Sequence, residues 1–159
     1  MKSRHSLTLT LGLASALLLG CDPEPPPSDF FAVMPCRAID SRDPNQPGLG
    51  GDRSHDFLLR GVCGVPADAT AVMVNLTVVG VDNNPTEKHG FFTVFDAGLD
   101  TGDETHPGVS HLNWPAGTRA LANGATVPFA SENPNLRIWA GYHGDFSANL
   151  LVDVSGYFR

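Results

Sequence analysis

The sequence is poor in basic residues and has no clustered positive charge. Lysine and arginine together number 10 of 159 residues, against 17 aspartates and glutamates, and the net charge is −7 with the histidines neutral. Nucleic-acid-binding proteins usually concentrate lysine and arginine in a stripe, and no such stripe occurs here. We therefore expect neither nucleic acid nor an anionic lipid surface as a partner, and the acidity is typical of a well-solvated surface.

Long apolar runs are also missing, apart from one near the N terminus. Residues 7–19 are mostly apolar and follow Lys2 and Arg4. That run is shorter than the roughly 20 residues of a membrane-spanning helix, and its positive start and small-residue end are typical of a targeting peptide. The pattern predicts a signal peptide at residues 1–20, and the rest is long enough for a single domain with one core.

The motifs of common enzyme classes are absent. The sequence contains no His-Glu-x-x-His zinc motif, no Gly-x-Ser-x-Gly nucleophile elbow and no phosphate-binding glycine loop. The histidines after the leader have no metal-ligand spacing; they are His55, His89, His106, His111 and His143. We therefore expect a protein that is not an enzyme and has no resident cofactor.

Three cysteines are present: Cys21, Cys36 and Cys63. The stretch at residues 18–21, Leu-Leu-Gly-Cys, resembles the lipobox of bacterial lipoproteins, in which the cysteine is lipidated and becomes the new N terminus. Two or more acyl chains on one residue give stable anchoring at about 0.8 kcal/mol per buried methylene. The resemblance implies that Cys21 carries lipid in an exported protein held at a bacterial membrane, inner or outer; the alternative is an ordinary disulfide cysteine.

A proline-rich segment follows the lipobox at residues 21–29. Four prolines in the eight residues after Cys21 favour an extended polyproline II conformation of roughly 25 Å, at about 3.1 Å per residue. This predicts a stalk between the lipid and the domain. The alternative, a ligand for a proline-recognising domain, is typical of cytoplasmic proteins.

With Cys21 lipidated, Cys36 and Cys63 form an even pair in an oxidising compartment, where disulfides persist. A bridge across their loop would contribute roughly 3 to 4 kcal/mol on a chain-entropy argument. Their spacing is not that of a redox or zinc motif. We predict a structural disulfide.

The remainder of the chain alternates with a period of two. Val72, Val74, Leu76 and Val78 fall on one face of a predicted strand. The other predicted strands are residues 30–34, 55–59, 91–95, 109–114, 125–129, 136–142 and 149–158. The whole sequence has 17 glycines and 13 prolines, and turn residues separate these runs. The pattern predicts an all-β domain over residues 30–159: a single antiparallel β-sandwich, jelly-roll-like or Ig-like, with little or no helix outside the signal peptide.

Several segments together resemble a β-rich accessory module of secreted and surface proteins of actinobacteria and myxobacteria. They are residues 35–42 with Arg-x-x-Asp-Ser-Arg, residues 64–77 with Gly-Val-Pro and Asn-Leu-Thr, residues 84–95 with Asn-Pro-Thr and Gly-Phe-Phe-Thr-Val-Phe, and residues 152–158 with Asp-Val-Ser-Gly-Tyr-Phe. The resemblance implies an all-β extracytoplasmic module, often attached to cell-wall hydrolases and peptidases and without a settled activity. The pair Cys36 and Cys63 is a departure from the common actinobacterial form.

Three of the charged residues in these motifs are candidate site residues: Asp40, Arg42 and Asp153. One interpretation is a structural set of ion pairs near the sheet ends. The other is a ligand site, or a pair of carboxylates in a hydrolase that acts on cell-wall material.

The two tryptophans, Trp114 and Trp139, are candidates for a sugar-stacking platform together with Tyr142 and Tyr157. An aromatic face packs against the apolar C–H surface of a sugar. Packing in the core or at a sheet edge is the alternative for each of them.

An acidic loop offers a candidate calcium site. Asp96, Asp100, Asp103 and Glu104 lie within nine residues, and oxygen ligands suit calcium. The EF-hand order of ligands is missing, so a solvated turn is the alternative.

The expected function is therefore that of a lipid-anchored envelope protein whose loops bind glycan or another surface protein. The alternatives are a cell-wall hydrolase and a purely structural envelope component.

Overall fold

The protein is an all-β sandwich. The computed structural model describes residues 28–46, 49–81, 89–99, 106–130, 133–142 and 148–159. Its strands are β1 (Phe30–Asp40), β2 (Arg53–Phe57), β3 (Ala71–Val79), β4 (Gly90–Phe95), β5 (Leu112–Trp114), β6 (Ala120–Pro128), β7 (Leu136–Gly141) and β8 (Asn149–Phe158). The residues in these ranges form no helix, and correspondingly none of their segments is a helix suited to crossing a membrane.

The strands form two antiparallel four-stranded sheets, in the orders β1-β8-β3-β6 and β2-β7-β4-β5. Within them β1 pairs with β8, β2 with β7, β3 with β6 and β4 with β5. The chain thus folds as one long antiparallel ribbon wrapped into two layers, which is the jelly-roll arrangement. The prediction of a single antiparallel sandwich is confirmed, in its jelly-roll form.

The core lies between the sheets and follows from the alternation in the sequence. In β3, Val72 and Leu76 are fully buried, whereas Met73 and Asn75 on the opposite face are exposed. Strand β8 also buries its apolar positions against the second sheet. Each such side chain contributes roughly 1.5 to 3 kcal/mol when it leaves water.

Strand β8 occupies an inner position of the first sheet, between β1 and β3. Its pairing begins at the end of the chain, where Asp29 and Arg159 exchange both backbone hydrogen bonds, at 2.9 and 3.1 Å. The pairing with β1 is interrupted by register shifts between Ala32 and Cys36 and between Arg37 and Ile39. The first strand is therefore irregular, and a single unbroken ladder does not hold it.

Several strand boundaries differ from the predicted ones, including those of β2, which lies at Arg53–Phe57 instead of residues 55–59. Strand β1 continues to Asp40 beyond the predicted end at residue 34, and β5 is confined to Leu112–Trp114. Strand β6 begins at Ala120, five residues before the predicted start. Its first five residues are all exposed, so they carry no alternation of apolar and polar residues that could reveal a strand.

The predicted disulfide is present. Cys36 of β1 and Cys63, in the segment between β2 and β3, are joined by an S–S bond of 2.05 Å with their Cα atoms 5.5 Å apart. Cys63 has a positive φ of 54° and lies between Gly61 and Gly64, whose φ values are 84° and 77°. The glycines adopt this left-handed backbone without steric cost, and the tight turn brings Cys63 to β1.

Replacing both Cys36 and Cys63 by alanine should lower the free energy of unfolding by about 3 to 4 kcal/mol, because the unfolded chain regains the freedom that the bridge removes. Denaturant titration of the oxidised protein and the double variant measures the difference. Reductant serves as the control: it should destabilise the unchanged protein by a similar amount and leave the variant unaffected. Equal stability of the oxidised protein and the variant would contradict the prediction.

Candidate functional site

A shallow aromatic groove lies on the outer face of the second sheet. Trp139 of β7 is partly exposed there, next to Phe91 of β4. Phe91 lies opposite Gly141 in the register, and a Cβ atom at residue 141 would overlap the Phe91 ring. The glycine therefore allows the phenyl ring to lie flat across β7.

His106 completes the cluster of rings. Its imidazole stacks on the Trp139 indole, with ring centroids 5.5 Å apart and 30° between the planes. It also meets the Phe91 ring edge-on, again with 5.5 Å between centroids. The histidine thus links the aromatic residues of two neighbouring strands.

Hydrogen bonds hold the segment that carries His106 against β4. The Thr93 hydroxyl donates to the carbonyl oxygen of Val109, and the amide of His111 donates to the carbonyl oxygen of Phe92 at 2.8 Å. The amide of Val94 donates to Nδ1 of His111 at 3.2 Å. These bonds place residues 106–111 as one wall of the groove.

We call this surface the β4–β7 groove. Its main cavity has a volume of about 300 Å³ and is lined by Asp52, His89, Phe91, His106, Trp139, Gly141 and Tyr142. An adjoining cavity of about 220 Å³ shares Phe91 and His106 and adds Gly108, Val109, Ser110 and Asn113. The groove therefore has an aromatic floor and a rim of carboxylate, imidazole, hydroxyl and amide groups, a composition typical of sites for small polar ligands.

Asp52 is held at the rim by its own backbone. Its amide donates to the carbonyl oxygen of Ala140 at 2.7 Å, and its φ of 53° lies in the left-handed region that aspartate tolerates better than most residues. The backbone of Asp52 is therefore fixed to β7 next to Trp139.

His55 and His111 have structural roles instead. Burial lowers the pKa of both rings, which keeps them neutral. A neutral ring can accept a hydrogen bond, and His55 accepts one from the amide of Gly50 at 3.2 Å, as His111 does from Val94. His89 and His106 are the described histidines that line the groove.

The structure places the two candidate tryptophans differently. Trp139 lines the groove, but Trp114 is 1% exposed and packs against Phe92, with ring centroids 4.5 Å apart. Its indole lies where a Cβ atom at Gly90 would be. Trp114 belongs to the core because its strand turns that position inward, so it offers no surface to a sugar.

The two tyrosines do not form a platform with Trp139 either. Tyr142 is 2% exposed; burial raises its pKa, and its hydroxyl donates to the carbonyl oxygen of Leu49. Tyr157 stacks on Phe31 in the first sheet, with ring centroids 5.3 Å apart. It is therefore on the other layer of the sandwich.

The motif charges form ion pairs on the first sheet. Asp40 is held by Arg42 through two hydrogen bonds of 2.8 and 2.6 Å. Asp153 is held by Arg37 in the same bidentate way, at 2.6 and 2.9 Å, and Arg37 also lies 3.7 Å from Asp40. The hydrogen bonds from Arg42 lower the pKa of Asp40 to about 2. The structural interpretation of these residues agrees with this geometry.

Arg37 was not among the predicted site residues, although it opens the Arg-x-x-Asp-Ser-Arg motif. Its partner Asp153 lies opposite it on β8 in the sheet register. Arg37 and Asp153 are far apart in the sequence, so the sequence gives no sign that they pair. They meet because the last strand lies beside the first.

The predicted calcium loop is only partly within the described residues. Asp96 is 5% exposed, and its carboxylate accepts hydrogen bonds from the amides of Gly98 at 2.8 Å and Ala130 at 2.6 Å. Asp100, Asp103 and Glu104 lie outside the described residues, as do Cys21 and most of the predicted stalk. Within the described ranges, no three acidic, histidine or cysteine side chains are grouped closely enough to hold a metal ion.

The ion pair of Asp40 predicts a dependence of stability on pH. A carboxylate whose pKa is lower in the folded than in the unfolded state contributes stability above its unfolded value, near 3.8, and this is lost as the pH falls through about 2. Acid titration of the free energy of unfolding should therefore show a smaller loss between pH 4 and pH 2 in Asp40→Asn than in the unchanged protein.

Asp68→Asn is the matched control, because that carboxylate is 69% exposed and lies 3.9 Å from the nearest arginine. Its profile should follow that of the unchanged protein. Identical acid profiles for Asp40→Asn and the unchanged protein would contradict the role of the pair.

No family model, curated protein or solved structure matches the chain. The resemblance to the actinobacterial and myxobacterial module therefore stays a prediction that depends on the motifs of the sequence itself.

Proposed function

We propose that the protein is a lipid-anchored, non-catalytic module of the bacterial cell envelope that binds glycan in the β4–β7 groove. The observation that carries this proposal is the aromatic floor formed by Phe91, His106 and Trp139, with polar groups at its rim. Of the two expected ligand classes, glycan and surface protein, this composition favours glycan.

The chemistry of the groove matches that of a sugar. The apolar C–H face of a pyranose ring can pack on the exposed part of the Trp139 indole. The sugar hydroxyl groups can then exchange hydrogen bonds with polar residues around the rim, which include Asp52, His89, Ser110 and Asn113. The groove is small and shallow, so it suits one or two sugar units of a longer polymer.

The charge of the protein narrows the choice of glycan. The chain has a net charge of −7, and Asp52 places a carboxylate at the groove itself. Like charges oppose the approach of a polyanion. A neutral sugar unit, such as the N-acetylglucosamine of peptidoglycan, is therefore favoured over an acidic one.

The arrangement of carboxylates supports a binding role over hydrolysis. A glycosidase needs two carboxyl groups about 5 to 10 Å apart across a cleft. Among the described residues that line the groove, Asp52 is the one with a carboxylate. Asp40 and Asp153 are held by arginines on the first sheet, and neither lines the groove.

The lipid anchor is supported by the lipobox at residues 18–21 and by the start of the domain. Strand β1 begins at Phe30, directly after the proline-rich segment. That segment then joins the domain where Asp29 pairs with Arg159. A lipid at Cys21 would hold the sandwich near a membrane with the stalk as spacer.

Trp139→Ala should reduce the retention of the protein on purified peptidoglycan at least tenfold, because it removes the stacking surface. Phe30→Ala is the matched control: Phe30 is an aromatic residue that is 46% exposed but belongs to the first sheet. A pull-down over a range of peptidoglycan concentrations measures retention, and thermal unfolding verifies that both variants are folded.

Trp139→Phe adds a second comparison, since it keeps an aromatic face and should retain part of the binding. Loss of retention in Trp139→Ala and not in Phe30→Ala supports the proposal. Equal retention by all the variants, or no retention of the unchanged protein on any envelope glycan, contradicts it.

Cys21→Ala should release the protein from the membrane fraction or leave its precursor unprocessed, because the thiol that receives the lipid is gone. Metabolic labelling with a fatty acid measures this directly. Label that still appears on Cys21→Ala would overturn the assignment of the anchor, while leaving the glycan proposal intact.

A further inference from the structure

A sandwich of two open sheets has four edge strands, and three of them here are protected against pairing with another chain. Strand β1 is interrupted by register shifts and contains Pro35. Strand β2 has five residues, including the charged Arg53 and Asp56, and β5 has only three. Bulges, charges, proline and shortness are the usual means by which natural proteins prevent edge pairing.

Strand β6 has none of these protections in its interior. It is nine residues long, without a charged residue, and its one proline is the last residue. Its register with β3 is unbroken from Ala120 opposite Val79 to Pro128 opposite Ala71. A long, regular and uncharged edge of this kind is a template for the addition of another strand.

The hydrogen bonds at the two ends of β6 establish which of its backbone groups face outward. The amide of Gly80 donates to the carbonyl oxygen of Arg119 at 3.2 Å, and the amide of Phe129 donates to that of Thr70 at 2.8 Å. Since such pairs alternate along an antiparallel ladder, odd-numbered residues of β6 face β3. The backbone groups of Ala120, Ala122, Gly124 and Thr126 therefore face the open edge.

The position of the proline agrees with this assignment. Pro128 belongs to the even-numbered series, so the N–H group that proline lacks would have faced solvent. An edge strand tolerates proline only at such positions. The small side chains of the even-numbered residues also leave their backbone accessible to a neighbouring strand.

We propose that two copies of the protein pair through β6, antiparallel to each other, about a two-fold axis at Asn123. In this register Ala122 lies opposite Gly124 of the second copy, and Ala120 lies opposite Thr126 of the second copy. All four outward residues of each copy then form hydrogen-bonded pairs, about eight bonds in total. The two first sheets join into one continuous sheet across the axis.

Charge and symmetry favour a second copy over a foreign strand. The net charge of −7 opposes contact between two copies over most of the surface, but β6 has no charged residue, so two copies can meet along this edge without opposing charged side chains. The outward residues are arranged symmetrically about Asn123, so the strand is its own complement, as a two-fold interface requires.

The exposure of Leu121 gives an independent reason for the pairing. Leu121 lies on the same side of β6 as the buried Ala125 and Val127, which is the inner side. It is nevertheless 39% exposed and lines an open groove of about 230 Å³. In the proposed register it lies next to Ala125 of the second copy. Pairing would therefore cover an apolar side chain that the monomer leaves in water.

Disulfide trapping tests the register. At the axis, Asn123 would lie opposite its own equivalent in a non-hydrogen-bonded pair with Cα atoms about 4.5 Å apart, which is within the range of a disulfide. In the full chain with Cys21→Ala, Asn123→Cys should form a covalent dimer on mild oxidation. Thr126→Cys is the control: it is also exposed, but its equivalents would be about 20 Å apart along the strands.

Ala122→Pro tests the pairing without a new cysteine. It removes an N–H group that faces the open edge and none that bonds to β3, so the fold should persist, as circular dichroism can verify. Sedimentation equilibrium of the full chain in mild detergent should show a dimer in the unchanged protein and at least tenfold weaker association in this variant.

Selective trapping by Asn123→Cys together with weaker association of Ala122→Pro supports the proposal. Equal trapping at residues 123 and 126 overturns the register. If the unchanged protein is a monomer at every concentration up to about 100 μM, the proposal as a whole is overturned. This holds even if a foreign peptide is found to bind the β6 edge.

Discussion

The fold depends on the pairing of the last strand between the first and the third. Strand β8 joins β1 to β3, and Leu150, Val152 and Val154 on its inner side are fully buried. Without it, β1 would have no neighbour among the described strands, and the first sheet would be reduced to the pair of β3 and β6. These pairings join residues far apart in the sequence, so the chain loses loop-closure entropy before the contacts between the strands can offset the loss. Such a fold is typical of slow and cooperative folding.

The groove in turn depends on two glycines of the second sheet. Gly141 leaves room for the Phe91 ring on the outer side, and Gly90 leaves room for the Trp114 indole on the inner side. The second sheet thus carries large aromatic residues on both faces at nearly the same level. On the inner side, the buried Trp114 ring packs against Phe92 of β4. On the outer side, the Phe91 ring forms part of the floor of the groove.

Alternation was sufficient to predict the class of fold, because strands such as β3 separate buried from exposed residues strictly. It could not predict the part of β6 before Ala125, where both faces are exposed. It also could not distinguish Trp114 from Trp139, since both lie on strands and only the register assigns one to the core. The groove was missed for a related reason: Asp52, His89, Phe91 and His106 come from separate segments, and no spacing in the sequence brings them together.

Under the proposed lipid anchor, the bridge between Cys36 and Cys63 has a mechanical consequence, because load would enter the domain through its N-terminal segment. Tension on the N-terminal segment acts first on β1, whose end lies against the end of β8 at Asp29 and Arg159. In an antiparallel pair this load peels the strand away one rung at a time. The covalent link at Cys36 blocks the peeling after about six residues and transfers the force to the turn between β2 and β3, so the rest of the ladder stays closed under load.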